Sequence, residues 1–305
     1  MISGGDLVGI SRVTVLDKLT YAGLRENLLG VSGITNYSFE HGDICDGKFV
    51  ASLLSEVDAV INFAAESHVD RSIAGAADFI QANIVGVQVL LDAIKASGRD
   101  IRFLQISTDE VYGSIESGSW TEEWPLQPNS PYSASKAGGE LLARSYHKTH
   151  NLDVVITRCS NNYGTHHFPE KLIPLFITNL LEGKKVPVYG SGKNVRDWLH
   201  VDDHCRGIHK VLMNGRSGQV YNIGGGRELT NMEITGLLLQ AMGADESSIE
   251  YVEDRKGHDL RYSVDWTKIR TELGYEPQVN FEDGLRKTIQ WYRDNQAWWK
   301  PLKNR

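Results

Sequence analysis

The chain has 305 residues, 41% hydrophobic and 23% charged, with a formal net charge of −7 at pH 7; it is long enough for a sizeable core, at the border between one large domain and two, and too acidic for a general nucleic-acid binder. No basic arm, secretory leader or apolar run near bilayer-spanning length stands out in the sequence. Three widely spaced cysteines, Cys45, Cys159 and Cys205, with no CxxC, fit a reducing compartment better than a disulfide framework or a metal site, so a cytoplasmic enzyme without membrane, nucleic-acid or metal partners is expected.

In chain order, residues 12–17 (RVTVLD) read as a β-branched strand ending in Asp17, a position where aspartate also serves as a turn residue or helix cap. His41-Gly42-Asp43-Ile44 reads as a turn, and 58–65 (DAVINFAA) as a continuous apolar strand of the kind a parallel sheet buries on both faces. Apolar residues at helical spacing follow over 79–97, closing on Gly98 as a C-cap. Asn83 inside that helix is most simply a buried amide satisfied by backbone. A helix over 133–150, with the small residues Ala134, Ala137, Gly138 and Gly139 early in it, leads to a strand over 153–158 and then to Asn161-Asn162 before Tyr163-Gly164. This alternation predicts an α/β fold with a parallel sheet. Near residue 162 the composition shifts toward Pro, Lys and polar loops, which places a lobe boundary there: 1–162 and 163–305, with 198–225 returning to the first lobe as a helical segment (WLHVDDHCRGIHKVL) and a strand (QVYNI). A last helix over about 281–296 precedes Trp298-Trp299, read as packing residues.

Reactive side chains are densest between residues 105 and 136. A short apolar run, Phe103–Ile106, ends in Ser107, Thr108, Asp109 and Glu110, and ligands of open α/β sheets sit beyond such carboxyl strand ends. Tyr132 and Lys136 stand four residues apart at a helix start, so both project from one face. A phenol of reference pKa about 10 is a poor base at neutral pH, and a nearby ammonium favours its phenolate.

Ser/Thr at a strand end with Tyr-x-x-x-Lys downstream resembles the short-chain dehydrogenase/reductase superfamily, and STDEVYG with PYSASK resembles its dTDP-glucose 4,6-dehydratase branch. The resemblance implies a Rossmann-type doubly wound parallel sheet with a smaller C-terminal substrate-binding lobe, NAD as cofactor and dTDP-glucose as substrate. It implies a catalytic set of Thr108, Asp109, Glu110, Tyr132 and Lys136. For NAD it implies Asp17, with Lys18 beside it, on the adenosine ribose, Asp43 and Ile44 at the adenine, Ala64, Ala65 and Ser67 along the dinucleotide, then Tyr132, Lys136 and Asn162 at the nicotinamide. For the sugar nucleotide it implies Ser67, Thr108, Asn161, Lys171, Leu172, Pro187, Tyr189, Arg196, Asn231, Arg255 and His258, the arginines offering forked donors to a diphosphate. Asn83 resembles a residue supporting the active-site strand, and the helix after Tyr132 resembles a homodimer interface. Asp109-Glu110 favours a dehydratase over the related 4-epimerases and decarboxylases, which need no extra acid and base.

Gly4, Gly5 and Gly9 match the composition of a glycine-rich phosphate turn, but no strand precedes them and no helix fits before residue 12. The expectation is a chain lacking the family's first strand, glycine turn and first helix, an N-terminally shortened form of a normal enzyme. A cofactor-poor, non-catalytic nucleotide-sugar-binding protein is the alternative from another class.

Overall fold

The computed structural model describes residues 10–34 and 36–304, the side chain of Asn304 excepted; Gly4, Gly5 and Gly9 lie outside the described residues. The chain divides into two compact units, one formed by 1–107, 131–156 and 211–219, the other by 108–130, 157–210 and 220–305.

In the first unit, β1 (Val13–Asp17) and β2 (Tyr37–His41) pair in parallel, Asp17 opposite His41. Asp46 caps α1 (Gly47–Leu53) by accepting the Lys48 and Phe49 N–H groups. Strand β3 (Ala59–Asn62) pairs in parallel with β4 (Arg102–Thr108), and the Phe103 N–H reaches the Asp153 carbonyl just before β5 (Val154–Cys159) at 2.7 Å. Between β3 and β4 run α2 (Val69–Ala74), α3 (Ala77–Ile80), a π turn at Gln81–Val85 and α4 (Gly86–Ser97), which ends on left-handed Gly98 at φ 64°. The helix α5 (Pro131–His150) packs against the π turn and α4. Val87, Leu91, Ile94, Phe103, Leu104, Ala143 and Val155 form the core, consistent with strands covered on both faces.

The second unit resumes at Thr157 within β5, and just past that strand the Ser160 N–H donates to the Ile223 carbonyl. It holds β6 (Asn161–Tyr163), α6 (Leu172–Leu181), β7 (Val186–Tyr189), β8 (Val195–His200), α7 (Val201–Asn214), β9 (Val220–Ile223), β10 (Glu228–Thr230), α8 (Asn231–Met242), β11 (Ile249–Val252), α9 (Thr267–Leu273) and α10 (Phe281–Asp294), the end of α7 lying in the first unit. Strand β8 lies between antiparallel β10 and parallel β6, and β11 pairs in parallel with β7. Ile173, Phe176, Ile177, Leu238, Ile289, Tyr292 and Trp299 close the core. The Trp299 indole N–H donates to the Tyr292 carbonyl at 2.7 Å, a packing role as the sequence suggests.

Three points differ from the sequence reading. Trp198, Leu199 and His200 belong to β8, so the helix begins at Val201; a short buried apolar run has no period that separates strand from helix. The division by contacts assigns 108–130 to the second unit and returns only 211–219 to the first, because Trp120 N–H bonds to Ser263 O and Gly218 N–H to Val154 O. The stretch 77–97 is a continuous helix with the length and apolar composition to cross a bilayer; it packs against α1 and α5, as a core helix does.

Candidate active site

Every first-unit candidate for the cofactor lies at or just beyond the carboxyl end of a parallel strand, or on α5. Beyond β1, Asp17 is exposed and accepts the Leu19 N–H at 2.6 Å, with Leu19 in the left-handed region at φ 52°. Beyond β2, Asp43 accepts the Cys45 N–H at 2.9 Å and pairs with Lys18 Nζ at 2.7 Å. Burial raises its carboxyl, but the hydrogen bonds from Lys18 and Cys45 prevail and hold it below the ordinary range. Gly42 is required there, since a Cβ would meet the Phe49 ring at 2.2 Å, and Ile44 packs on Gly86. Beyond β3, Ala64 and Ala65 are half-buried and Ser67 is exposed.

Tyr132 and Lys136 are buried in the first turns of α5, and Lys136 Nζ donates to the Ile106 carbonyl at 2.7 Å. Asn83 fixes the position of that helix start. Its amide accepts from Glu66 N–H and donates to Glu66 O, both at 3.0 Å, and donates to Ser135 Oγ at 2.8 Å; Ser135 Oγ in turn donates to Tyr132 O. Backbone thus satisfies Asn83 in part, and a hydroxyl beside Tyr132 completes it. The π turn that carries Asn83 is the kind of local irregularity that often marks functional helices.

The acid pair opens the second unit. Asp109–Tyr112 is a 3₁₀ turn capped by Thr108, whose hydroxyl accepts the Glu110 N–H at 3.3 Å and donates to Asp109 Oδ1 at 3.3 Å. Asp109 is 1% exposed, and its Oδ2 is buried with no hydrogen-bond partner among the described residues. Burial, then the Glu110 carboxylate, hold the Asp109 carboxyl well above the ordinary range. Burial raises Glu110 as well, opposed by the charges of Arg196, Lys171 and Arg255. Burial thus favours the protonated form of both neighbouring carboxyls, with the Glu110 charge adding to the effect on Asp109 and the cations opposing it at Glu110.

Arg196 is buried, its guanidinium bonded to the Val195 and Asp259 carbonyls at 2.8 and 3.0 Å and lying 4.1 Å from the Tyr262 ring centroid. Tyr262 donates to Asp259 Oδ2 at 2.7 Å, and Asn129 donates to Asp259 Oδ1 at 2.6 Å. Sequence reasoning missed Tyr262, Asp259 and Asn129; nearness to Arg255 and His258 in DRKGHDLRY could have found the first two, while Asn129, 130 positions from Asp259, carried no signal. Arg255 lies 5.2 Å from the Tyr189 ring centroid, and His258 meets that ring edge-on and Asp254 Oδ1 at 2.7 Å. Burial lowers the His258 pKa, with Asp254 opposing. Lys171 caps α6, which Leu172 opens; Pro187 lies in β7, and the Asn231 N–H is tied to Asn194 O at 2.9 Å. Asn161 Oδ1 is buried with no hydrogen-bond partner among the described residues. The Asn162 amide donates to Ser160 O at 3.0 Å and accepts from His204 Nδ1 at 3.0 Å, so its orientation is set within the unit. The structure thus groups Glu110, Lys171, Arg196 and Arg255 electrostatically, and Tyr189, Arg255 and His258 by contact, while Asn231 and Asn162 are held in local bonds. Among the described residues no cluster of three His, Cys, Asp or Glu side chains could hold a metal ion.

A family model described as GDP-mannose 4,6 dehydratase matches residues 3–288. The dTDP-glucose 4,6-dehydratase of Streptomyces niveus is 57% identical over 302 residues, 98% of this chain and 90% of that protein. The solved structure of DesIV, a dTDP-glucose 4,6-dehydratase from Streptomyces venezuelae with NAD and TYD bound, is 61% identical with a TM-score of 0.95, covering 96% of this chain and 90% of that one. A UDP-glucuronic acid 4-epimerase from Bacillus cereus, solved with UDP-glucuronic acid and NAD, shares the fold at 28% identity and TM-score 0.87, covering 93% and 91%. With its Thr-Asp-Glu turn and Tyr-x-x-x-Lys helix, and identity of this extent along nearly its whole length, the chain belongs to the nucleotide-sugar 4,6-dehydratase family, in its dTDP-glucose 4,6-dehydratase branch.

Proposed function

We propose that the chain converts dTDP-glucose to dTDP-4-keto-6-deoxyglucose, and the observation carrying this reading is the adjacent acids Asp109 and Glu110, Asp109 buried, on a capped turn at the end of β4. Relatives of this name are 57–59% identical over nearly the whole chain, and three structures of such proteins were solved with NAD. The residues present fit NAD: an exposed carboxylate at Asp17 for ribose hydroxyls, the Asp43 turn for adenine, and small Ala64 and Ala65 where a dinucleotide backbone would approach. When bound, NAD supplies the hydride acceptor at C4 of the sugar and the donor to C6.

The protein's own groups do the proton chemistry. Tyr132, with Lys136 and Thr108, takes the C4 hydroxyl proton, leaving a ketone when the C4 hydride departs. The ketone acidifies C5, and Glu110 removes that proton. The C6–O bond breaks as Asp109 gives its proton to the leaving hydroxyl, so water departs and a C5–C6 double bond remains. After hydride return to C6, Glu110 gives the proton back to C5. Arg196, Arg255 and Lys171 hold the diphosphate and, on the bound sugar, keep Glu110 able to ionise.

In this reading the first unit holds the NAD site and the second the sugar-nucleotide site. The protein works in the cytoplasm, in keeping with three free thiols, and as a homodimer through α5, in keeping with exposed Leu141 on that helix and exposed Ile73 and Ile80 on the helices packed against it.

Incubation with dTDP-glucose, with and without added NAD, tests the proposal. The expected product is lighter by one water and absorbs in alkali as a 4-keto sugar. An isomer of unchanged mass would show a 4-epimerase instead, and folded protein with added NAD that leaves dTDP-glucose unchanged would refute catalysis.

A further inference from the structure

The 3₁₀ turn carrying the acid pair is only four residues long, too short to hold its own shape by a hydrogen-bond ladder. Its backbone is fixed at both ends. Thr108 caps the start, and at the other end Gly113 sits at φ 88°, where a Cβ would meet Gln127 O at 2.4 Å. Between these ends Tyr112 is clamped more completely than a packing residue needs. Its ring stacks on Trp120 with centroids 5.1 Å apart and 17° between planes. Its hydroxyl accepts from Arg158 Nη1 at 2.6 Å and donates to Asn222 Oδ1 at 2.9 Å, and the guanidinium lies 4.6 Å from its ring centroid.

The partners are themselves anchored. Arg158, in β5, is fully buried and also donates to Glu122 O at 3.2 Å. Asn222, in β9, donates to Trp120 O and Asp265 O, and its N–H donates to Glu122 Oε1 at 2.9 Å. Burying a guanidinium is costly unless its hydrogen bonds are well made, and a hydroxyl bonded in both directions has one orientation. Residues three apart on a 3₁₀ turn lie on the same side, so the anchor on Tyr112 also fixes how Asp109 leaves the backbone.

We infer that Tyr112, locked by Arg158 and Asn222, is a positioning residue for the acid–base pair: it sets the geometry of Asp109 and Glu110 for water elimination and has no part in oxidation at C4. The inference rests on the dehydratase reading. Elimination needs the base on the C5 hydrogen and the acid on the C6 oxygen together, so a turn free to rock loses that step first, while C4 oxidation depends on Tyr132 and Lys136 on α5 and on Thr108, held in β4 ahead of the turn.

The test is Tyr112→Phe, which removes one atom and keeps the ring. In single-turnover reactions with dTDP-glucose and NAD, quenched in acid and resolved by mass, wild type is expected to give sugar nucleotide lighter by one water. The variant is expected to accumulate the form lighter by only two hydrogens, with dehydration slowed at least tenfold and C4 oxidation within twofold of wild type. Hydrogen exchange of the 108–113 backbone amides is measured on the same proteins without substrate, and faster exchange there, with the rest of the chain unchanged, is the expected companion result. Unchanged exchange, or equal slowing of both chemical steps, overturns the inference. If neither protein forms product, the dehydratase reading has failed, and the exchange result alone decides whether Tyr112 holds the turn. Should Tyr112→Phe not fold, Arg158→Lys, which keeps the charge and loses the planar fork, carries the same expectations.

Discussion

Lys136 Nζ donates to the Ile106 carbonyl at 2.7 Å, joining the Tyr-x-x-x-Lys helix to the strand whose end carries the acid pair. The bond makes the lysine a fixed charge one helical turn from Tyr132, buried with it. Lys136→Met is expected to lower C4 oxidation by about 10²–10⁴-fold, the usual range for losing support of a general base. The check is the single-turnover rate of oxidised sugar formation across pH, in which the variant's rate should recover toward alkaline pH as the unaided phenol ionises.

Asp109 must carry a proton to act as acid, and burial with the adjacent Glu110 carboxylate keeps it there. Asp109→Asn keeps shape and neutrality but has no proton to give, so dehydration should fall about 10²–10⁴-fold while C4 oxidation persists. The stability sign follows from the raised folded pKa. Unfolded aspartate ionises near pH 4, so wild type loses stability as pH rises from there toward the folded pKa, and the asparagine variant lacks this loss. Urea titrations at pH 5 and pH 8 should show the variant gaining on wild type at the higher pH. No gain would mean that Asp109 is already ionised in the folded protein.

Gly139 lies where α5 crosses the π turn, and a Cβ there would sit 2.2 Å from the Asn83 carbonyl oxygen. Backbone cannot yield as a flexible side chain would. Gly139→Ala is expected to destabilise the fold by about 1–3 kcal/mol despite the better helix propensity of alanine. It should also displace Asn83 from Ser135, lowering activity beyond what the melting shift explains. Thermal melts beside steady-state rates separate the two effects.

What the sequence made legible was whatever lies close along the chain. Asp109 and Glu110 are adjacent, Tyr132 and Lys136 are one turn apart, and the small residues of α5 announce a close approach. Interactions between distant residues left no such pattern. Asn83 meets Glu66 and Ser135 across 17 and 52 positions, and Arg196 meets Asp259 across 63. Tyr262, under the Arg196 guanidinium 66 positions away, has nothing in its neighbourhood along the chain that marks the contact. Gln81, Asn83 and Gln88 interrupt the apolar run of the 77–97 helix and hide its length, and Trp198-Leu199 at the end of β8 fits a strand or a helix period equally.

Leu141 on α5 is 53% exposed and Ile80 on α3, which packs against α5, is 49% exposed. Apolar side chains of this size gathered on neighbouring helices are a surface that association would cover. Leu141→Arg places a charge on α5, where a second copy covering that helix would have to desolvate it. If α5 forms the dimer, the variant should sediment as a monomer at concentrations where wild type is dimeric, with its folded-state circular dichroism unchanged. A monomeric wild-type protein would refute the dimer, and a variant that remains dimeric would move the interface off α5.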